Sequence, residues 1–123
     1  MKKILWIEDD ALLGSILGKT LRTQGYDLTH VRSAQDALDA LGQLTPDLII
    51  ADILMPGEMN GFDLLKVIHN DPRFKGVPRI VLSNLSSTAD LAHAKGLGVS
   101  KFLVKADSSL EQILTEIKHQ LGA

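Results

Sequence analysis

The stretch 46-PDLIIADILMPG-57 contains four consecutive apolar residues, Leu48 to Ala51, that end directly at a carboxylate, Asp52. A short, uninterrupted apolar run is typical of a strand buried on both faces of a parallel sheet. Pro46 lies where such a strand begins, and there its missing N–H is tolerated. The stretch therefore predicts a central strand that delivers Asp52 to one edge of a sheet.

The rest of the chain alternates between strand-like and helix-like segments. Other candidate strands are Ile4 to Ile7, Tyr26 to Val31, Ile80 to Leu82 and Phe102 to Val104. Apolar residues at helical spacing separate them: Leu13, Ile16, Leu17 and Leu21; Ala34, Ala37, Leu38 and Leu41; Leu64, Val67 and Ile68; Leu110, Ile113, Leu114 and Ile117. Strands that alternate with helices indicate an α/β fold, a doubly wound five-stranded parallel sheet with helices on both faces.

Helix boundaries are indicated by capping residues. Gly25 follows the first helix as a C-terminal cap would, Ser33 precedes the second as an N-cap would, and Asp10 suits the N-cap of the first. Ser108, with Glu111 three residues later, predicts a capping box that opens the last helix. Ser87 to Lys95 is the weakest predicted helix, because it has few apolar residues to bury.

Composition narrows the class of protein. The length of 123 residues suits one domain over residues 1–123, and 45% hydrophobic residues can build a core. The net charge of -2 argues against a nucleic-acid-binding domain, and the absence of cysteine excludes disulfides and thiolate sites. Because no apolar run has the length of a signal peptide core or a membrane span, we expect a cytoplasmic protein with no membrane contact.

Polar residues follow four of the five strands. They are Glu8, Asp9 and Asp10 after the first strand, Asp52 after the third, Ser83 after the fourth and Lys105 after the fifth. In a parallel sheet these positions share one edge, where ligands bind. Carboxylates that converge there repel one another unless a cation neutralises them, and Mg²⁺ prefers oxygen ligands. A carboxylate, Mg²⁺, a lysine and a hydroxyl together predict a phosphoryl-transfer site.

Five segments resemble the receiver domain of two-component response regulators, in the order and spacing of that family. They are Ile4 to Asp10, Pro46 to Gly57, Asn60-Gly61, Ile80 to Ser83 and Phe102 to Lys105. The resemblance, to the chemotaxis-regulator-like single-domain type, implies a (βα)5 flavodoxin-like fold with strand order 2-1-3-4-5. It also implies phosphorelay signal transduction by a phosphoacceptor switch that catalyses only its own phosphorylation and dephosphorylation.

The resemblance assigns a role to each site residue. Asp52 accepts the phosphoryl group. Asp52, Asp9 and the backbone carbonyl of Leu54 bind the metal directly, and Glu8 binds it through a water molecule. Lys105 contacts the phosphoryl oxygens. The remaining two positions, Ser83 and Phe102, form the switch: the Ser83 hydroxyl bonds to the phosphoryl group, and Phe102 is the aromatic residue whose rotamer reports the state.

The family also implies partners. The phosphodonor is a sensor histidine kinase or a histidine phosphotransfer protein. Signal output uses the face formed by the fourth helix, the fifth strand and the last helix, which binds a downstream effector or a second copy of the chain. No direct nucleic-acid contact by this domain is expected.

One departure and two alternatives are visible in the sequence. Ala106 stands where the family usually has proline after a cis bond, which leaves the reach of Lys105 to be tested. An Mg²⁺-dependent phosphatase with an Asp nucleophile needs a second Asp two residues later, where this chain has Leu54. A flavodoxin-type nucleotide carrier needs a small-residue phosphate loop after the first strand, where this chain is acidic.

Overall fold

A computed structural model describes residues 1–122 and contains one parallel sheet flanked by helices. Its strands are β1 (Lys3–Ile7), β2 (Asp27–Val31), β3 (Leu48–Ala51), β4 (Arg79–Ser83) and β5 (Lys101–Val104). All four strand pairings are parallel, and the order across the sheet is β2-β1-β3-β4-β5. Both the predicted fold class and the predicted strand order are confirmed.

Five α-helices connect the strands. They are α1 (Ala11–Thr23), α2 (Ala34–Leu41), α3 (Gly61–His69), α4 (Thr88–Gly96) and α5 (Leu110–Gln120). Short 3-10 turns occupy Pro72–Phe74 and Lys105–Asp107. Because every crossover in a parallel sheet passes over one face, successive strands are separated by one helix.

Alternate residues of each strand enter two different apolar cores. In β1, Ile4 and Trp6 pack with α1 and α5 on one face, whereas Leu5 and Ile7 pack with α2 and α3 on the other. A third cluster, with Val81 of β4 among its members, lies beneath α3 and α4. Because helices cover both faces of the sheet, both sets of alternating strand residues are apolar, and the strands therefore appear in the sequence as continuous apolar runs.

Two details of the helices differ from the sequence predictions. Ile16 and Val67, which were predicted to face the core, are 49% and 44% exposed. Other residues of α1 and α3 face the sheet, and in α1 these include Gly14 and Gly18 as well as leucines. The last helix is capped by Ser109 with Gln112, not by Ser108 with Glu111. The 3-10 turn at Lys105–Asp107 moves the helix start one residue along.

The other predicted caps are present. Asp10 accepts hydrogen bonds from the backbone N–H groups of Leu12 and Leu13, and Ser33 accepts one from Asp36. Gly25 follows α1 with φ of 92°, the left-handed conformation that glycine adopts readily. The first of these caps fixes the direction in which the acidic run leaves β1.

Candidate functional site

Asp52 lies at the carboxyl edge of the sheet, one residue after β3. Its backbone N–H donates to the carbonyl of Ile7, 3.1 Å away, which holds it beside the end of β1. Its Oδ1 accepts hydrogen bonds from the backbone N–H groups of Ile53 at 2.6 Å and Leu54 at 3.3 Å. The residue is only 5% exposed, so its carboxylate is fixed in one orientation.

Gly61 allows α3 to begin directly against the segment that carries Asp52. Its N–H donates to the carbonyl of Ile53 at 2.8 Å, and a Cβ at this position would lie 2.6 Å from the Ile53 Cα. Real Cβ atoms do not approach backbone that closely, so any other residue would push the helix away from the site. The motif Asn60-Gly61 is thus explained by packing, with Asn60 as the N-cap.

Lys105 bridges two buried carboxylates. Its Nζ lies 2.6 Å from Asp52 Oδ2 and 2.7 Å from Glu8 Oε1. Burial would lower the pKa of this lysine, but its contacts with Asp52 and Glu8 outweigh that effect and the pKa is raised. The ammonium is therefore held in its charged form at the centre of the acidic edge.

Glu8 is fully buried, and this raises its pKa, although the nearby Lys105 ammonium and the hydrogen bond from the Asp10 backbone act in the opposite direction. Its Oε2 accepts from the Asp10 N–H at 3.1 Å. Its Oε1 has no hydrogen bond of good geometry, although the Lys105 ammonium is close. A buried carboxylate oxygen with unused lone pairs is a candidate ligand for a cation or its bound water.

Glu8, Asp9 and Asp52 form an acidic cluster, with one carboxylate oxygen from each within 4.8 Å of the others. Glu8 and Asp52 are buried and Asp9 is exposed, so the cluster is closed on the protein side and open to solvent on the other. Three hard oxygen donors with one open side suit Mg²⁺, which retains several waters when it binds proteins. The residues present therefore fit this metal.

Among the described residues, neither Ser83 nor Phe102 forms a hydrogen bond with Asp52, whose carboxylate bonds to Ile53, Leu54 and Lys105. Ser83 ends β4 and is fully buried, and its hydroxyl accepts from the Leu85 N–H at 3.4 Å. Phe102 of β5 pairs in register with Val81 and packs partly buried against the cluster beneath α3 and α4. The structure therefore brings together Glu8, Asp9, Asp52 and Lys105, whereas the contacts of the two predicted switch residues are with other parts of the chain.

Leu54 and Ala106 complete the edge. The Leu54 side chain is 58% exposed. The Lys105–Ala106 bond is trans, like every other peptide bond of residues 1–122, and the Ala106 N–H donates to Asn84 Oδ1 at 3.0 Å. Lys105 nevertheless reaches both carboxylates, so the absence of proline does not displace it.

The edge strand β2 and the residue that follows it contribute two residues that the sequence analysis missed. His30 Nε2 lies 2.8 Å from the backbone carbonyl of Glu8, and Arg32 Nη2 donates to the carbonyl of Asp9 at 3.1 Å. Gly14 leaves room for the imidazole, because a Cβ there would lie 2.5 Å from its Cε1. Both side chains bind backbone carbonyls, which no sequence motif reveals, and together they hold the acidic loop from outside.

A family model for the response regulator receiver domain matches residues 4–118 of this chain. The chain belongs to the receiver domain family. Its strand order is the one expected from the resemblance, and nothing supports the phosphatase alternative. Among residues 1–122, no helix is both long and apolar enough to span a membrane.

Curated relatives of this receiver domain include two bacterial regulators. It is 34% identical over 104 residues to the DNA-binding response regulator MtrA of Mycobacterium tuberculosis, an alignment that covers 85% of the chain and 44% of MtrA. It is 38% identical over 112 residues to the Regulator of RpoS of Escherichia coli, covering 91% of the chain and 32% of that protein. The chain thus spans less than half the length of either relative.

Solved structures give the same assignment. The receiver domain of a signal transduction histidine kinase from Syntrophus aciditrophicus superimposes with a TM-score of 0.88 at 31% identity, covering 99% of this chain and 91% of that one. Chemotaxis response regulator CheY4 of Vibrio cholerae superimposes with a TM-score of 0.89 at 26% identity, covering 98% and 99%.

Proposed function

We propose that the chain, as a single receiver domain over residues 1–123, is the phosphoacceptor of a phosphorelay and that Asp52 carries the phosphoryl group. The observation that carries the proposal is the position of Lys105, whose ammonium touches both Asp52 and Glu8. A lysine at this position offsets the negative charge of the two carboxylates before the reaction and is within reach of a phosphoryl group attached to Asp52.

The acidic cluster would hold Mg²⁺ through Asp9 and Asp52 directly and through Glu8 by way of water, with the Leu54 carbonyl as a further ligand. When bound, the metal supplies positive charge for the phosphoryl oxygens. Glu8 keeps Lys105 in place through its buried oxygen, and Asp9 presents its carboxylate on the solvent side, where the donor must arrive.

Phosphorylation takes place by attack of one Asp52 carboxylate oxygen on the phosphorus of a phosphohistidine. The new O–P bond forms as the P–N bond breaks, and the histidine nitrogen leaves with the electron pair and takes up a proton. The backbone N–H groups of Ile53 and Leu54 orient the carboxylate through its other oxygen. Lys105 then exchanges its contact with Asp52 for one with the phosphoryl oxygens, which carry more charge.

The partners follow from this chemistry. We propose a sensor histidine kinase or histidine phosphotransfer protein as donor, in the cytoplasm, and an effector or a second copy bound through the face of α4, β5 and α5. The domain acts as a switch, not as an enzyme on external substrates, because the apolar Leu54 leaves no general acid two residues after Asp52.

The test is incubation with acetyl phosphate and Mg²⁺, followed by intact mass measurement. We expect one added phosphoryl group on the wild type. No group should be added when a chelator removes Mg²⁺ from the reaction, and none should be added to Asp52→Asn. The matched control is Asp47→Asn, which removes a carboxylate at the opposite end of β3 and should label normally. Full labelling of Asp52→Asn would contradict the proposal.

A further inference from the structure

Arg79 is a buried cation at the edge of the sheet opposite Asp52. It begins β4 and is only 5% exposed. Its Nη2 donates to the carbonyl of Phe74 at 2.7 Å, whereas its Nε is buried with no partner. None of the ion pairs formed within residues 1–122 includes this guanidinium. A buried charge without a counter-charge is costly, and burial accordingly lowers the pKa of Arg79.

The guanidinium lines a cavity of about 580 Å³ at this edge. The other lining residues are His69, Asn70, Asp71, Pro72, Lys75 and Gly98. Gly98 has φ of 78°, and a Cβ there would lie 2.5 Å from Arg79 Nη1 and 3.0 Å from His69 Nδ1. The Arg79 guanidinium and the His69 ring, which come from different elements, therefore both pack directly against Gly98, and only a glycine lets them lie there at the wall of the cavity.

The charge of the cavity is positive. Arg79 and Lys75 contribute two permanent cations to its lining. The one carboxylate in the lining, Asp71, accepts hydrogen bonds from the Arg73 side chain and backbone, which lower its pKa, and its negative charge is paired with the Arg73 guanidinium. The carbonyl end of α3 adds about half a negative charge, which does not outweigh the two permanent cations.

We propose that this cavity is a binding site for a small oxyanion, which Arg79 Nη1 and His69 Nδ1 bind directly and Lys75 binds through its charge. A guanidinium with free N–H groups is the side chain best matched to phosphate and carboxylate oxygens. The site lies at the amino ends of the strands, so it is separate from the acidic edge and does not depend on the role of Asp52. An oxyanion there supplies the counter-charge that Arg79 lacks.

The experiment is an NMR titration of the metal-free protein with inorganic phosphate at constant ionic strength. We expect saturable shifts at the amides of Gly98 and His69, with a dissociation constant in the millimolar range. Omitting Mg²⁺ and following Ala106 as a reference separates this binding from any interaction at Lys105. Acetate in place of phosphate, over the same range, tells whether the site takes carboxylates as well, the form in which a protein partner would present an oxyanion.

Two variants test the assignment. Arg79→Met removes the charge but keeps the buried length, so we expect phosphate binding at least about tenfold weaker, with the amide spectrum showing that the fold is retained. His69→Gln with Lys75→Gln changes exposed side chains only, cannot disturb the core, and should also weaken binding severalfold. The proposal is overturned if Gly98 and His69 show no saturable shift up to about 50 mM phosphate, or if binding persists unchanged in either variant.

Discussion

Lys105 Nζ lies 2.6 Å from Asp52 Oδ2, although the two residues are 53 positions apart in the chain. The contact joins the ends of β3 and β5, which are not neighbours in the sheet, since β4 lies between them. The long lysine side chain therefore crosses the end of β4 to reach the carboxylate. Its path explains how one cation can serve two carboxylates that come from β1 and β3.

Replacing this lysine should destabilise the metal-free protein. In Lys105→Met, Glu8 and Asp52 remain buried without their cation, and we expect a loss of about 2–4 kcal/mol in unfolding free energy at neutral pH. Urea denaturation measures the loss, with Lys101→Met as the control, because Lys101 is an exposed lysine at the start of β5, the strand that Lys105 follows. An equal effect in both variants would show that the bridge contributes nothing.

The same variant should have a characteristic pH dependence. Burial raises the pKa of Glu8, and Lys105 opposes that rise, so the pKa rises further when the lysine is removed. A carboxyl group with a raised folded-state pKa favours the folded state as pH falls. We therefore expect the stability deficit of Lys105→Met to shrink on acidification below neutral pH, and a deficit that grows would contradict this reading.

Asp9 is the exposed member of the acidic cluster and has no ion pair with Lys105. At low ionic strength, Asp9→Asn should leave metal-free stability unchanged or raise it by up to about 1 kcal/mol, because it relieves repulsion. The rise in melting temperature that Mg²⁺ gives the wild type should be largely lost. Asp27→Asn, an equal change of charge at the far end of the sheet, should retain it; the same loss there would contradict a local metal site.

Much of this site could be predicted from sequence because parallel strands end at a common edge. Glu8, Asp52 and Lys105 each follow an apolar run, so their meeting required only the fold. His30 and Arg32 could not be predicted, because they bind carbonyl oxygens, which every residue has. The Arg79 cavity was also missed, since the positions of Arg79 and His69 in its wall depend on the absence of a side chain at Gly98.

Helix details show a second limit. Ser108 with Glu111 and Ser109 with Gln112 both fit the capping-box pattern, and only the preceding 3-10 turn selects the second pair. Ile16 was assigned to the buried face of α1 from helical spacing alone, and it is exposed. The face of a helix that meets the sheet is set by close approach as well as by hydrophobicity, and small residues such as Gly18 decide it.

We expect Ser83 and Phe102 to transmit the phosphorylation signal from Asp52 to the output face. A phosphoryl group on Asp52 adds about two negative charges and should draw the buried Ser83 hydroxyl inward, which vacates space for the half-buried Phe102. With the phosphoryl mimic beryllofluoride and Mg²⁺, amide shifts should concentrate in α4, β5 and α5. Asp52→Asn is the control and should show none. Large changes limited to α2 and α3 would rule out this route.

The aspartyl phosphate should be long-lived. Leu54 and Leu85, two residues beyond Asp52 and Ser83, give no polar side chain to orient an attacking water. We expect loss of label over many minutes after donor removal, and severalfold faster loss in Leu54→Asn. Val67→Asn, a similar change at an exposed position on α3, should behave as the wild type does. A wild-type half-life of seconds would refute this prediction.

The central claim is that one particular carboxylate, Asp52, accepts the phosphoryl group, and reductive mapping tests it most directly. Borohydride converts an aspartyl phosphate to homoserine, which peptide mass spectrometry locates in the sequence. After phosphorylation with acetyl phosphate and Mg²⁺, we predict homoserine at position 52 and at no other aspartate. Homoserine at Asp9, Asp10 or Asp47, with Asp52 unmodified, would contradict the account.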